Sequence, residues 1–264
     1  MNKLKYNELP QSLNSRIAAH ANFSNFVLHQ WIDSKFDIRE GDNVFDVGCG
    51  NGNYVKLFFN KIKEDGLIYG VDKNENLINE AISKYVELSK NIHFEVGDYD
   101  SINIIDVSFN WIFSIYSIYY TADSKALIEK LKETISLGGK FVIIGPASNN
   151  GVDLDDFNFK VTGVLPNQEH KVRTKRIESE FYPLFKRIFG EDNTSLEIVD
   201  SAMNFPTIDD YAEYYWSTLL WRESTGDLSA DSIQVLKDKT LAILSENKEY
   251  RISKQMACLI GHYV

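Results

Sequence analysis

The sequence predicts an α/β fold in which helices cover both faces of a doubly wound, largely parallel sheet. Three observations lead to this prediction. Short runs of β-branched and aromatic residues alternate with longer helical stretches, a glycine-rich turn directly follows the first of those runs, and no proline occurs between Pro10 and Pro146. Such alternation is typical of βαβ units, because parallel strands need a crossover connection that is usually a helix.

Before Pro146, predicted strands and helices alternate regularly. A helix is predicted from Asn14 to about Ile32, since Ile17, Ala21 and Trp31 recur near the helical period. The predicted strands are residues 43–47, 67–71, 92–96, 111–115 and 140–144, and the predicted helices between them are residues 54–62, 75–89 and 124–136.

The regular alternation of predicted strands and helices ends after Pro146. Residues 147–170 are predicted to be a loop, and residues 172–189 a helix that Pro183 kinks or splits. The remaining predicted elements are helices at residues 208–222 and 230–247 and strands at residues 196–199 and 255–260. We interpret the chain as one α/β domain that carries a helical insertion, rather than as two independent domains.

Composition narrows the class of protein. Hydrophobic residues make up 44% and charged residues 25% of the 264 residues, which is ordinary for a globular protein. The net charge of −10 argues against non-specific nucleic-acid binding, which depends on neutralising phosphates. The two cysteines, Cys49 and Cys258, predict neither a disulfide framework nor a zinc pair. With no apolar signal segment and no long apolar run, we expect a cytoplasmic protein without a membrane span.

The glycine-rich turn carries the strongest functional signal. Gly48, Gly50 and Gly52 follow the first strand directly, where glycines permit a tight turn and close approach of a ligand to the backbone. Asp72 ends the second strand, 20 residues beyond Gly52, at a position where a carboxylate can accept ribose hydroxyls. A dinucleotide site would need a third glycine at Asn53, and a P-loop would need Gly-Lys-Ser/Thr, so neither motif is matched.

With these residues, the sequence resembles the class I S-adenosylmethionine (SAM) dependent methyltransferases over about residues 40–145. The run Asp46-x-Gly48-x-Gly50-x-Gly52 is similar to the first motif of that family. The resemblance implies that Asp72 binds the ribose and that Asp98, after the third strand, meets the adenine amine. It also implies a Rossmann-like seven-stranded sheet of order 3-2-1-4-5-7-6, with the last strand antiparallel.

The resemblance extends to the cofactor site and the division of the chain. The residues it implies for binding SAM are Asp46, Gly48, Cys49, Gly50, Asn51, Gly52, Asp72, Lys73, Asp98, Tyr99 and Ser114. Cys49 is expected to pack near the cofactor and not to act as a nucleophile. Residues 1–40 would form an N-terminal helical cover, 40–146 the SAM-binding half, 147–250 a helical insertion and lid around the sixth strand, and 251–264 the final strand.

The acceptor pocket is expected beyond the fourth strand and beneath the insertion. The segment after that strand lacks the Asn/Asp-Pro-Pro-Tyr motif of adenine and glutamine amino-methyltransferases, so those acceptors are disfavoured. Candidates for lining the pocket are Tyr116, Tyr119, Tyr120, Tyr211 and Tyr215, which could instead be packing residues, together with Tyr6 and Arg16, which could reach the SAM carboxylate.

No dedicated acid or base is obvious. His20 on the first helix is a candidate general base, although a lone histidine on a helix is more often a surface or hydrogen-bonded residue. The spacing of the histidines suggests no metal site. The basic run at residues 171–176 is expected to be a solvated helix face, with contact to an anionic acceptor or RNA as the alternative.

The sequence therefore predicts a methyltransferase that uses SAM as its cofactor, acts on a small-molecule acceptor by in-line displacement and releases S-adenosylhomocysteine. An RNA or protein methyltransferase is one alternative, weakened by the net negative charge. A catalytically inactive SAM-binding sensor or partner subunit is another, because the same cofactor motifs would survive in it.

Overall fold

The computed structural model describes residues 10–85, 87–98 and 106–264, and within them a seven-stranded sheet forms the centre of the fold. The strands are Val44–Val47 (β1), Ile68–Asp72 (β2), Ile92–Val96 (β3), Phe109–Ile115 (β4), Ile135–Pro146 (β5), Thr194–Phe205 (β6) and Tyr250–His262 (β7). Their spatial order is β3-β2-β1-β4-β5-β7-β6. The strands from β1 to β5 pair in parallel, whereas β7 is antiparallel to both β5 and β6. The predicted sheet order and the antiparallel last strand are confirmed.

Helices pack on both faces of the sheet and over one of its ends. They are Pro10–Phe23 (α1), Leu28–Lys35 (α2), Val55–Ile62 (α3), Glu75–Tyr85 (α4), Ser124–Lys132 (α5), Val152–Thr162 (α6), Gln168–Arg176 (α7), Tyr182–Phe189 (α8), Ile208–Ser217 (α9), Leu219–Thr225 (α10) and Ala230–Ser245 (α11). None of the helices in the described part of the chain is long and apolar enough to cross a membrane.

Three hydrophobic clusters fill the interior. On one face of the sheet α5 and α8 contribute Leu127 and Phe185, and on the other α2 and α3 contribute Ile32 and Phe58. Every residue of β1 and of β2 is buried, as expected for parallel strands covered on both faces. The third cluster joins α1, α6, α9, α10 and α11 to the ends of β6 and β7.

The predicted helix from Asn14 to Ile32 is wrong, because the structure has two helices there. The chain leaves the helical path at Ser24, which bridges to Met203 in β6. The Asn25 amide donates to the Ala202 carbonyl at 3.0 Å, and the Ala202 amide donates to Asn25 Oδ1 at 2.9 Å. Pairing with an edge strand replaces the intrahelical hydrogen bonds at this point, so tertiary contact decides the break.

The predicted loop at residues 147–170 is also wrong, since it contains α6 and the start of α7. Two glycines with left-handed backbone flank α6, Gly151 (φ 70°) and Gly163 (φ 72°). Leu154, Phe157 and Val161 are buried on one face of the helix. Their i, i+3, i+7 spacing is the sequence pattern of an amphipathic helix, and burial against the third hydrophobic cluster stabilises that helix.

Two later helices are interrupted. A π-helical segment, Ile177–Phe181, separates α7 from α8 just before Pro183, which agrees with the predicted split. The predicted helix at residues 208–222 is instead α9 and α10, because Thr218 is extended (φ −73°, ψ 154°). Its hydroxyl accepts from the Trp221 amide at 3.2 Å and donates to the Tyr215 carbonyl at 2.7 Å, which starts a new helix.

Candidate active site

The glycine turn after β1 is held against the turn after β4. Gly48 has φ 79°, and a Cβ at this position would lie 1.7 Å from Ser117 Oγ. Ser114 is buried and donates to the Val47 carbonyl at 2.8 Å, while accepting from the Ile118 amide at 3.1 Å. The first glycine is therefore required for the close approach of Ser117. The hydrogen bonds of Ser114 join the end of β1 to the turn after β4.

Gly52 has a different partner. It has φ 74°, and a Cβ there would lie 2.8 Å from the Tyr85 ring of α4. The third glycine of the motif thus permits helix packing.

Asp72, at the end of β2, is fixed by two backbone amides. Its Oδ2 accepts from the Gly50 amide at 3.0 Å, and its Oδ1 accepts from the Asn74 amide at 2.8 Å. Burial raises the pKa of Asp72, although the hydrogen bonds from Asn74 and Gly50 and the charge of Lys73 oppose this. Each carboxylate oxygen keeps a lone pair for a further donor, which is the requirement for binding a pair of hydroxyls.

Asp46 lies behind the turn, beside Gly70 of β2 and Phe113 of β4 in the sheet. Its carboxyl is 1% exposed, and its Oδ2 has no hydrogen-bond partner among the described residues. Burial, reinforced by the charge of Asp72, raises the pKa of Asp46 to about 7. A buried acid with one oxygen that lacks a described partner suits a site that receives a cationic ligand.

A cavity of about 450 Å³ lies over the carboxyl ends of the central strands. This is the size range of small-molecule and cofactor sites. The predicted site residues that line it are Arg16, His20, Gly48, Cys49, Gly50, Asn51, Asp72, Lys73, Tyr116, Tyr119 and Tyr120. Asn51 donates to Asn14 Oδ1 at 2.9 Å and to Glu80 Oε1 at 3.1 Å, which fastens α1 to the glycine turn.

Other predicted residues lie elsewhere. Asp46, Ser114 and Gly52 support the turn from outside the cavity wall, as described above. Asp98 is half-buried after β3 and is not among the residues that line the cavity. The predictions for Tyr6 and Tyr99 fall outside the described residues.

Tyr211 and Tyr215 are core residues, so their predicted place in the acceptor pocket is wrong. Tyr215 is fully buried, donates to Asn158 Oδ1 at 2.8 Å and packs 5.1 Å from the Trp221 ring centroid. Tyr211 packs against Phe157 with ring centroids 5.2 Å apart. Helix α9 turns the intervening Tyr214 to the cavity instead.

The Tyr215→Phe variant is expected to lower the free energy of unfolding by about 1–3 kcal/mol, because Asn158 Oδ1 would lose its buried donor. Denaturant unfolding of the variant and the parent protein measures this difference. Unchanged stability combined with altered ligand binding in the cavity would contradict the core assignment.

The turn after β4 is positioned by a buried arginine. Arg176 donates from one guanidinium nitrogen to the carbonyls of Tyr119 and Thr121, both at 2.7 Å, and its other two nitrogens donate to Glu180. Arg173 is also buried and donates to Glu223 at 3.1 Å. The expectation that residues 171–176 form a solvated face is therefore wrong for these two arginines: Arg173 lines the cavity, and Arg176 holds the turn that carries Tyr119.

Among the described residues, His20, His29 and His170 line the cavity, and they differ in their contacts. Desolvation within the cavity, together with the charges of Lys254 and Arg16, lowers the pKa of His20 to about 3, although the side chain keeps an exposed surface, and this weighs against the predicted role as a base. His170 uses both nitrogens, since Nδ1 accepts from Arg173 at 3.1 Å and Nε2 lies 3.3 Å from Asp155.

His29 was missed by the sequence analysis, because it has no motif around it. Its Nε2 lies 3.0 Å from the Asn53 carbonyl, and the ring stacks on Tyr54 with centroids 4.6 Å apart. A carbonyl can only accept, so Nε2 is the donor of this hydrogen bond, and in the neutral imidazole the other nitrogen, Nδ1, is the acceptor.

Comparisons with known proteins bear on the family of the chain. A family model described as a methyltransferase domain matches residues 38–187, which is more than half of the chain. The chain is 25% identical over 207 residues to phosphoethanolamine N-methyltransferase 1 of Triticum aestivum, a match that covers 73% of this chain and 41% of that protein. It is 26% identical over 119 residues to the aklanonic acid methyltransferase DauC of Streptomyces sp. (strain C5), covering 44% of this chain and 54% of that protein. The matches thus span less than two thirds of either relative.

Solved structures share the fold. A SAM-dependent methyltransferase from Geobacter sulfurreducens, in complex with S-adenosylhomocysteine, has a TM-score of 0.56 at 14% identity, covering 96% of this chain and 99% of that one. The YcgJ protein from Bacillus subtilis has a TM-score of 0.58 at 18% identity, covering 89% and 97%.

Proposed function

The chain belongs to the class I SAM-dependent methyltransferases, with SAM as cofactor, and we propose that it methylates a small-molecule acceptor. The reaction is an in-line displacement that transfers the methyl group to the acceptor and leaves S-adenosylhomocysteine (SAH). The observation that carries the proposal is the single cavity that joins the glycine turn and Asp72 to a wall of tyrosines under the helical layer.

The cofactor end of that cavity is formed by residues of β1 and β2. Asp72 would accept from the ribose hydroxyls, and the open backbone at Gly50, where a Cβ would meet nothing closer than 3.9 Å, admits the ligand. Asp46 supplies a negative charge behind the turn, which suits the cationic cofactor. SAM contributes an electrophilic methyl carbon on a sulfonium; the protein aligns the acceptor with it and excludes water.

The acceptor end is lined by aromatic residues from the turn after β4 and from α9. Tyr116, Tyr119, Tyr120 and Tyr214 contribute to this wall, and the helices above limit access to molecules that fit the cavity. Aromatic faces favour a planar or cationic acceptor and exclude water. The names of the two relatives given above, phosphoethanolamine and aklanonic acid methyltransferases, suggest the first acceptors to test.

We propose that His29, which lines the cavity, takes up the proton that the methylated group of the acceptor molecule loses. Its tautomer is set by the Asn53 carbonyl, so that Nδ1 has a lone pair and no hydrogen. The stacked Tyr54 ring holds the orientation of the imidazole.

The proposal is tested by measuring SAH release with a panel of acceptors. Phosphoethanolamine, aklanonic acid and related small amines and acids form one arm, and total RNA and unfolded protein form the other. We expect turnover with members of the first arm alone. Methylation of RNA or protein in the second arm would replace this proposal, and SAH binding without turnover in either arm would favour a non-catalytic SAM-binding protein.

SAM binding is expected to tighten as the pH rises from about 5 to about 7, by at most about tenfold per pH unit, and to level off above that. Asp46 in the free protein has a pKa of about 7, and a cationic ligand favours its ionised form, so binding releases a proton in this window. Calorimetry in buffers of different ionisation enthalpy measures the released proton. The Asp46→Asn variant should show a weaker pH dependence, whereas Asp65→Asn, exposed at the other end of β2, should match the parent. Equal pH profiles for Asp46→Asn and the parent protein would rule out this role.

A further inference from the structure

One wall of the cavity carries a lysine, Lys254, that is not among the residues proposed to bind the cofactor. Lys254 of β7 is half-buried on this wall and donates to the Tyr214 hydroxyl at 2.6 Å. Its ammonium lies 5.0 Å from the Tyr214 ring centroid. Within the described residues, the ion pairs of the structure include no carboxylate within 4.0 Å of Lys254.

The described residues near Lys254 on this wall include a histidine and an arginine. His20 packs edge-on to Tyr214, with ring centroids 5.9 Å apart, and its depressed pKa keeps it neutral. Arg16 lies one helical turn before His20, lines the same cavity and donates to the Ser217 carbonyl at 2.7 Å. Arg16 and Lys254 thus place two positively charged side chains near His20, in a chain whose net charge is −10.

This wall is well separated from the cofactor motifs. Asn14 of helix α1 contacts Asn51 of the glycine turn, and His20 follows six residues later in the same helix, roughly 9 Å along the helix axis. In the sheet, β7 lies three strand positions from β1, or roughly 14 Å at the usual strand spacing. Lys254 is therefore on the side of the cavity that is remote from Asp72.

We propose that Lys254, with the Tyr214 hydroxyl, binds an anionic group of the acceptor, a carboxylate or a phosphate. The inference rests on the proposed small-molecule activity and specifies the class of acceptor: a small molecule with an anionic end remote from the methylated atom. A half-buried ammonium beside a phenol hydroxyl provides charge-assisted donors for such a group.

The competing interpretation is that Lys254 binds the carboxylate of the cofactor. The following experiment distinguishes the two. SAH-saturated protein with isotope-labelled histidine is titrated with inorganic phosphate and with acetate, while NMR follows the His20 ring. SAH affinity is measured separately by calorimetry. We expect saturable shifts of the His20 signals in the SAH complex, and a rise in the His20 pKa, because the bound anion offsets Lys254.

The Lys254→Gln variant should weaken phosphate or acetate binding by at least about tenfold and leave SAH affinity unchanged. Lys254→Arg, which keeps the charge, should retain anion binding and shows that loss in the first variant is not a folding defect. Lys125→Gln, an exposed lysine paired with Glu129 on α5, is the matched control and should behave as the parent protein.

Three results would overturn the assignment. His20 signals that do not respond to either anion would show that no anion binds there. Equal anion affinity in Lys254→Gln and the parent would place the anion elsewhere. Competition between phosphate and SAH, with a similar tenfold loss of SAH affinity in Lys254→Gln, would assign Lys254 to the cofactor. None of these readouts depends on methyl transfer, so failure of the proposed activity is seen separately in the acceptor panel.

Discussion

Replacing Asp72 by alanine is expected to weaken SAM and SAH binding by roughly 30- to 1000-fold, equivalent to about 2–4 kcal/mol. The buried carboxylate would accept from two ribose hydroxyls, and it also accepts from the Gly50 amide of the glycine turn. The variant therefore loses ligand contacts and one constraint on the turn. Calorimetry with SAH measures the dissociation constant.

Asp65→Ala is the matched control for this substitution. Asp65 is exposed just before β2, at the end of the strand opposite to Asp72, and its removal should leave SAH affinity unchanged. Denaturant unfolding of both variants separates loss of binding from loss of folding. A folded Asp72→Ala protein with parental SAH affinity would refute the placement of the ribose at β2.

The His29→Gln variant is expected to lower kcat by about 100- to 10,000-fold with the acceptor found in the panel, since general base catalysis contributes on that scale. Glutamine keeps a side-chain donor for the Asn53 carbonyl and lacks a basic nitrogen. SAH affinity should stay close to that of the parent, which distinguishes a role in proton transfer from a role in shaping the cavity.

Two further histidine variants complete that experiment. His20→Gln should reduce kcat far less, because the low pKa of His20 makes it a poor proton acceptor at neutral pH. His93→Gln, exposed on β3, should have no effect. A His29→Gln enzyme with parental kcat across the pH range would exclude the proposed base.

The positions of the glycine turn and of Asp72 were predictable, because their sequence signals are local. Gly48, Gly50 and Asp72 follow buried strands directly, and the carboxyl ends of adjacent parallel strands meet at one edge of a sheet. Ser114 was assigned to the cofactor and instead bonds Val47, because position after a strand does not say which way a side chain turns. Ser117, three residues later, lines the cavity.

The acceptor half was less predictable, because it depends on which helical face meets the core. Aromatic residues fill α9 on several sides, so the pattern alone did not separate Tyr214 from Tyr215. The break at Thr218 and the Asn158 partner of Tyr215 set the rotation of the helix. Helix α6 was missed for a similar reason: its apolar face is short, and burial against α10 and α11 stabilises it.

The sequence by itself determined the alternation of strands and helices, the glycine turn and the acidic residue that ends β2, since each depends on neighbours a few positions away. The order of the strands came from family resemblance. Only the tertiary structure decided where His20, Tyr214 and Lys254 meet, and that His29 faces the same cavity. These residues come from α1, α9, β7 and α2, and their charges and hydrogen bonds act through space between segments that no local pattern relates.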